Sequence, residues 1–383
     1  MLMSAGQWIQ QVTLGWLLYE LTGSSVLLGV LNGFRTVPFL ISSPIAGVAA
    51  DRMDRRKLLL SSEYVLVGTA LAMGALVASG GLQVWHLFLF TLITGSAWSF
   101  SEPVRHTLVP NLVPKEELMN AVALHSAGFN LMKVVGPTLG GFLIALFGPA
   151  GNFFVQGAAY ASVVLTLYLM AVPPTPPQAL RASVAANLKE GLAYIWSTPA
   201  VLVLLVVDMV PRVFAVPYQT LMPIFQKDVL GVGPEGLGML LAAPGLGAVL
   251  AMLLLATFAD RVKRKELLLP TALILLGVFL VLFSRMTSFS LALLVLVGVG
   301  GCQIAFMATT NSLLQMTIPD RLRGRVMSIY MLDRGFIPVG SLFAGVTAHF
   351  VGAPATVSLM GSVVILLALL VAWRVPLLRK LAS

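Results

Sequence analysis

Apolar runs close to the length of a membrane span follow one another from the first residue to about residue 375, separated by short polar or Gly/Pro-rich breaks. A hydrocarbon core about 30 Å thick takes roughly 20 mostly apolar residues as a helix, and only helices or closed barrels satisfy their backbone there. About twelve runs meet that length: near 1–21, 26–49, 58–79, 83–101, 118–147, 152–173, 198–222, 236–258, 266–284, 288–312, 326–350 and 353–375. The run at 118–147 exceeds what a span needs, so its first turns are expected in the interface. Residues 174–197, "PTPPQALRASVAANLKEGLAYIWS", are Pro-rich and then amphipathic. They predict a linker, with an amphipathic helix, between a first bundle at 1–173 and a second at 198–383.

Composition agrees with that pattern. The chain is 58% hydrophobic and 10% charged, with mean hydropathy +0.94, against about 25% charge in soluble domains. The one cysteine, Cys302, and four histidines provide no disulfide framework and no metal-ligand spacing. No cofactor is expected. The net charge of +9 is explained by topology. Of 24 lysines and arginines, one set of alternate loops holds only Lys227 and Arg285, and the spans hold Arg35, Lys133, Arg212 and Arg334. The rest lie in the other loops and the two ends of the linker and tail, which the positive-inside rule assigns to the cytoplasm together with the C-terminus. A nucleic-acid partner is thereby excluded; membrane lipids are the expected surroundings.

The chain repeats itself. "ADRMDRRKLLL" at 50–60 returns as "ADRVKRKELLL" at 259–269, an offset of 209 that also superposes Gly29 on Gly238. An offset of 205 superposes Pro114 on Pro319 and Gly140 on Gly345. Two six-helix units in parallel orientation follow, an organisation in which transporters place substrate between repeats. By the same offset the first span begins about ten residues short, and a truncated lead-in is expected.

"GVAADRMDRRK", with Gly47, Asp51, Arg52 and Arg55, resembles the loop signature between the second and third spans of the major facilitator superfamily. Asp54 stands where that signature has glycine, a variant similar to the branch of enterobactin exporters and transmembrane secretion effectors. "WLLYELTGSS", "FRTVPFL", "LVPKEELMNAVALHSAGFNLMKVVGPTLGG" and "GRVMSIYML" extend the likeness through nearly the whole chain. The resemblance implies the twelve-helix major facilitator fold, all-α, with two six-helix bundles related by a pseudo-twofold axis along the membrane normal. It implies that Asp51 lies against the start of the eleventh span near Gly324 and Arg325, that Arg55 reaches Glu102, and that Asp260, with Arg261 and Arg264 in the repeated motif, meets the start of the fifth span. These residues would latch the cytoplasmic face, since a carboxylate is favoured beside a helix N-terminus. Topology alone accounts for Arg56, Lys57, Lys263 and Lys265. "GPTLGG" (Gly136, Pro137, Gly140, Gly141) resembles an antiporter motif; simple close helix packing is its plainer reading.

Ionisable groups inside spans cost at least roughly 2.5 kcal/mol at mid-helix and mark functional candidates. Asp208 and Arg212, four apart, are either a self-neutralising pair or a proton acceptor with its modulating cation. Arg35 and Lys133 are cavity candidates, as substrate ligands or as gating cations. Gln10, Gln11 and Asn130 are polar groups for substrate or for bonds between helices. Glu63, early in the third span and so within reach of cytoplasmic water, is read as structural, beside the loop between the second and third spans. His125 has a weak case as a proton relay.

The expectation is a bacterial plasma-membrane transporter, monomeric and not an enzyme, that exports a small amphipathic drug, siderophore or metabolite by proton antiport. An importer or facilitator, a lipid flippase, and a channel or non-transporting partner are the alternatives.

Overall fold

The computed structural model describes residues 1–38, 41, 42, 45, 46, 49, 53–170, 184–258 and 265–374. Among them every regular element is a helix: α1 Leu2–Thr22, α2 Ser25–Phe34, α3 Arg55–Ala78, α4 Val84–Leu112, α5 Leu118–Leu169, α6 Val184–Ser197, α7 Pro199–Phe214, α8 Pro234–Phe258, α9 Lys265–Ser284, α10 Phe289–Thr317, α11 Asp320–Met331, α12 Ile337–Val351 and α13 Ala353–Arg374. By length and composition seven helices among the described residues can cross a membrane.

Local chemistry sets the boundaries. α1 ends at Gly23, whose φ of 59° is the left-handed cap conformation. Ser24 then caps α2, its hydroxyl accepting from the Leu27 N–H at 3.2 Å. Asp54, the departure from the loop signature, caps α3: its Oδ1 accepts from the Lys57 N–H at 3.0 Å, an interaction worth about 1 kcal/mol.

α5 has 52 residues, about 78 Å at 1.5 Å per residue, far longer than one crossing. It is two arms meeting at Gly148 (φ 70°, ψ 175°), with Pro149 next, so the fifth and sixth expected spans are separated by a single non-helical residue. After α7, Pro217 and Pro223 remove backbone donors, and the chain continues through a 3-10 stretch, Val216–Leu221, a short turn, Met222–Ile224, and a π turn, Phe225–Val229. The seventh span therefore runs on to Val229 rather than stopping near 222.

The chain divides into two compact units, residues 1–179 with 226–242, and residues 180–225 with 243–383. In the first, α1 packs on α5, and α3 on α5 and α4. Its centre is a buried polar network. Gln156 Nε2 donates to Gln10 Oε1 at 2.7 Å, to the Tyr160 hydroxyl at 3.1 Å and to the Gly6 carbonyl at 3.2 Å. Gln10 in turn donates to Thr94 at 3.1 Å, and Asn152 to Thr13 at 2.6 Å and to the Gly140 carbonyl at 3.1 Å. Three helices are thus stitched together where no water competes.

In the second unit α9 packs on α13 and α10. Gly277 and Gly361 let the first pair touch at backbone distance: a Cβ on Gly277 would stand 2.6 Å from the Gly361 carbonyl oxygen. Tyr218, Phe225 and Phe283 form a ring cluster, the two phenylalanine centroids 4.6 Å apart. The linker helix α6 is fastened to α11: Glu190 pairs with Arg325 and, at 3.8 Å, with Arg321.

The network predicts a non-additive pair of substitutions. Gln156→Leu leaves the Gln10 amide half-satisfied and is expected to destabilise by about 1 kcal/mol, the scale of one interhelical hydrogen bond in a membrane protein. Gln10→Leu with Gln156→Leu should cost less than the sum of the single changes when thermal unfolding is followed in detergent.

Candidate functional site

α7 is an apolar helix opened by Pro199, and it carries an acid and a base through the region where both are costly. Asp208 is 0% exposed and Arg212 7%. One helical turn apart, they pair on the same face: Arg212 Nη2 lies 3.3 Å and Nε 3.4 Å from Asp208 Oδ2. Each charge is tolerable because of the other, and removing one partner of a buried pair strands its mate.

A second constellation lies at the C-terminal end of α1, away from the loop at 53–57. Tyr19, only 8% exposed, donates its hydroxyl to Asp228 Oδ2. The adjacent residues repeat the contact in ionic form, Lys227 Nζ standing 2.8 Å from Glu20 Oε2 and 6.0 Å from the centre of the Tyr19 ring. The segment 226–242 is held further by glycine. A Cβ on Gly238 would fall 3.1 Å from the Cα of Gly141, and one on Gly141 would fall 3.0 Å from the Cα of Gly238. α5 and the start of α8 therefore meet backbone to backbone within the first unit. The "GPTLGG" glycines also receive α1: a Cβ on Gly136 would strike Trp8 Cβ at 2.6 Å, and one on Gly140 would reach Ile9 Cα at 3.2 Å.

The other candidates separate. Gln10 is taken up between helices in the buried network, whereas Gln11 is half-buried and Asn130 exposed, its amide returned to the Ser126 carbonyl at 2.9 Å. Arg35 ends α2 and Lys133 is half-buried on α5; among the described residues neither has a carboxylate in ion-pair range. Nor is Arg55 paired with Glu102 among them; the cation facing Glu102 is Arg105, one turn along α4. Arg325, expected beside Asp51, pairs with Glu190 of α6. Gly47, Asp51, Arg52, Asp260, Arg261 and Arg264 lie outside the described residues. Glu63, expected to reach water, is 0% exposed.

Sequence reasoning missed the clasp of Tyr19 and Glu20 with Lys227 and Asp228. Its signal was present: Tyr19 and Asp228 are 209 positions apart, the offset of the charged repeat, so equivalent positions of the two halves are the ones that meet.

Known proteins share this architecture and sequence. A bacterial homologue of the human lysosomal transporter Spinster, in an inward-facing and unoccupied conformation, superposes with TM-score 0.74 at 17% identity, covering 96% of this chain and 93% of that one. A bacterial homologue of the iron transporter ferroportin gives 0.69 at 16% identity, covering 96% of each. In sequence the chain is 28% identical to the multidrug efflux pump Tap of Mycolicibacterium fortuitum, over 98% of this chain and 94% of that protein. It is 27% identical to the staphyloferrin A transporter of Staphylococcus aureus, over 94% and 90%, and 21% identical to macrolide efflux protein A of Streptococcus pyogenes, over 94% and 90%. The fold is that of major facilitator transporters, and the family model for transmembrane secretion effectors matches residues 1–382. With its duplicated motif, its buried ion pair and that end-to-end match, the chain belongs to the transmembrane secretion effector family, multi-pass membrane transporters of the major facilitator superfamily.

Proposed function

We propose that this transporter exports amphipathic small molecules across the bacterial plasma membrane by alternating access, in exchange for protons that load and leave Asp208. The observation that carries the reading is the Asp208–Arg212 pair, a buried acid and base on the otherwise apolar helix α7. Such groups are retained against their cost where a transport cycle uses them. Relatives named as multidrug, macrolide and siderophore transporters support export and a substrate that is apolar in part. In this reading the C-terminus is cytoplasmic and the working form is a monomer, its bundles at 1–173 and 198–383 joined by the linker at 174–197. Asp51 and Asp260 serve the cytoplasmic gate, and Arg35 and Lys133 belong to the substrate path. The clasp between α1 and residues 227–228 secures the opposite gate while the cytoplasmic one is open.

In inverted vesicles with an imposed pH gradient, the wild type is expected to accumulate a macrolide or a cationic dye and to stop when the gradient is collapsed. Asp208→Asn should lose accumulation while still equilibrating the same compound down its gradient. Wild-type accumulation indifferent to gradient collapse would sink the proton-exchange reading in favour of a facilitator or flippase.

The clasp predicts rescue by charge exchange. Lys227→Glu sets two acids against each other and is expected to lower efflux roughly fivefold, the ratio corresponding to about 1 kcal/mol at an exposed pair. Glu20→Lys added to Lys227→Glu restores the attraction and should return most of the activity in a cellular efflux assay.

A further inference from the structure

The first unit contains a buried acid that the cycle above does not use. Glu63 lies two turns into α3 and is 0% exposed, and neither carboxylate oxygen has a hydrogen-bond partner among the described residues. One turn on, Leu66 belongs to an apolar cluster with Met3, Ala70, Ala97 and Tyr160. α3 packs on α4 and α5. The titratable and charged groups facing Glu63 from them, among the described residues, are the Arg105 guanidinium of α4 and the Tyr160 phenol of α5. Arg105 also faces Glu102, and its Nε is buried without a hydrogen bond.

This arrangement differs from a structural ion pair. A carboxylate kept charged in an apolar interior is ordinarily surrounded by donors, and Glu63 has none. One cation lies near two acids and, among the described residues, within ion-pair range of neither; only one acid is sealed from water, Glu102 being half-buried. We propose that Glu63 is a reversible proton-binding site of the first unit, with Arg105 as the cation that replaces the proton. When Arg105 turns toward Glu102, Glu63 binds a proton from water and is neutral. When Arg105 turns toward Glu63, the O–H bond breaks, its electron pair stays on the carboxylate, and the proton returns to water. The buried carboxylate is thus charged only when Arg105 faces it, and Glu102, half-buried, then keeps its own charge against water. This inference deepens the proton-exchange reading and rests on it for its role in transport, giving each half an acid: Asp208 in one and Glu63 in the other.

The test is an infrared pH titration of the purified transporter in liposomes, which reads the carbonyl stretch of protonated buried carboxyl groups and requires no substrate. The wild type is expected to show such a band appearing and disappearing reversibly with pH. The band should persist in Asp208→Asn and, in that background, be lost on adding Glu63→Gln and return at a displaced frequency on adding Glu63→Asp, with the helical amide signal alike in all. A band left intact when Glu63→Gln is added to Asp208→Asn overturns the proposal. Should that variant fail to fold, Glu63→Asp decides, and an unshifted band overturns it equally. Failure of proton exchange itself is read separately, as wild-type efflux indifferent to the gradient, and leaves the titration result standing.

Discussion

Inside hydrocarbon a polar side chain has no water to return to, so each one present must be answered by another part of the protein. Much of this molecule's organisation follows from that constraint. Gln10 and Gln156 answer each other, Thr94 and the Gly6 carbonyl of α1, while Asn152 answers Thr13 and the Gly140 carbonyl, and together they fix which faces of α1, α4 and α5 meet. Asp208 is answered by Arg212 from its own helix. The first solution is rigid, because three helices share it. The second is local, both partners standing on one helix.

Where side chains are absent the helices come closest. Gly141 against Gly238 in one unit, and Gly277 against Gly361 in the other, bring backbones to distances at which a methyl group has no room. Contacts of this kind gain from van der Waals packing without side-chain entropy loss, and they leave no long side chains interlocked. Such a pair meets by backbone contact at these glycines, whereas the helices around Gln156 are held by directed hydrogen bonds. The two kinds of contact divide the labour within the first unit: polar stitching in the body of the bundle, smooth glycine faces where residues 226–242 dock.

Much of this was legible in the sequence, because hydrophobic run length and the distribution of Lys and Arg are strong signals in a membrane chain. The runs located the helices, and the displaced "ADR" motif exposed the duplication. What escaped was set by geometry that run length does not carry. Gly148 turns the chain with one residue, which no polar loop announces. The extension of the seventh span to Val229 depends on prolines forcing 3-10 and π turns. The position of Glu63 early in its span suggested access to water, and neighbouring helices deny it. Asp54, read as a branch variant of a known motif, is a helix cap. Of the site, the Asp208–Arg212 pair could be read because its partners are one turn apart, while the pairing of Glu190 with Arg325 could not, being between separate elements.

The meeting of Tyr19 with Asp228 has a consequence for how such a contact comes to exist. Were the two halves separate, identical chains, this position would face its own copy: phenol against phenol, or carboxylate against carboxylate, the second strongly repelled. Joined in one polypeptide, the two copies mutate independently, and one has become the donor and the other the acceptor. A single chain thereby holds a phenol–carboxylate bond that two identical copies, offering the same group from each side, could not form.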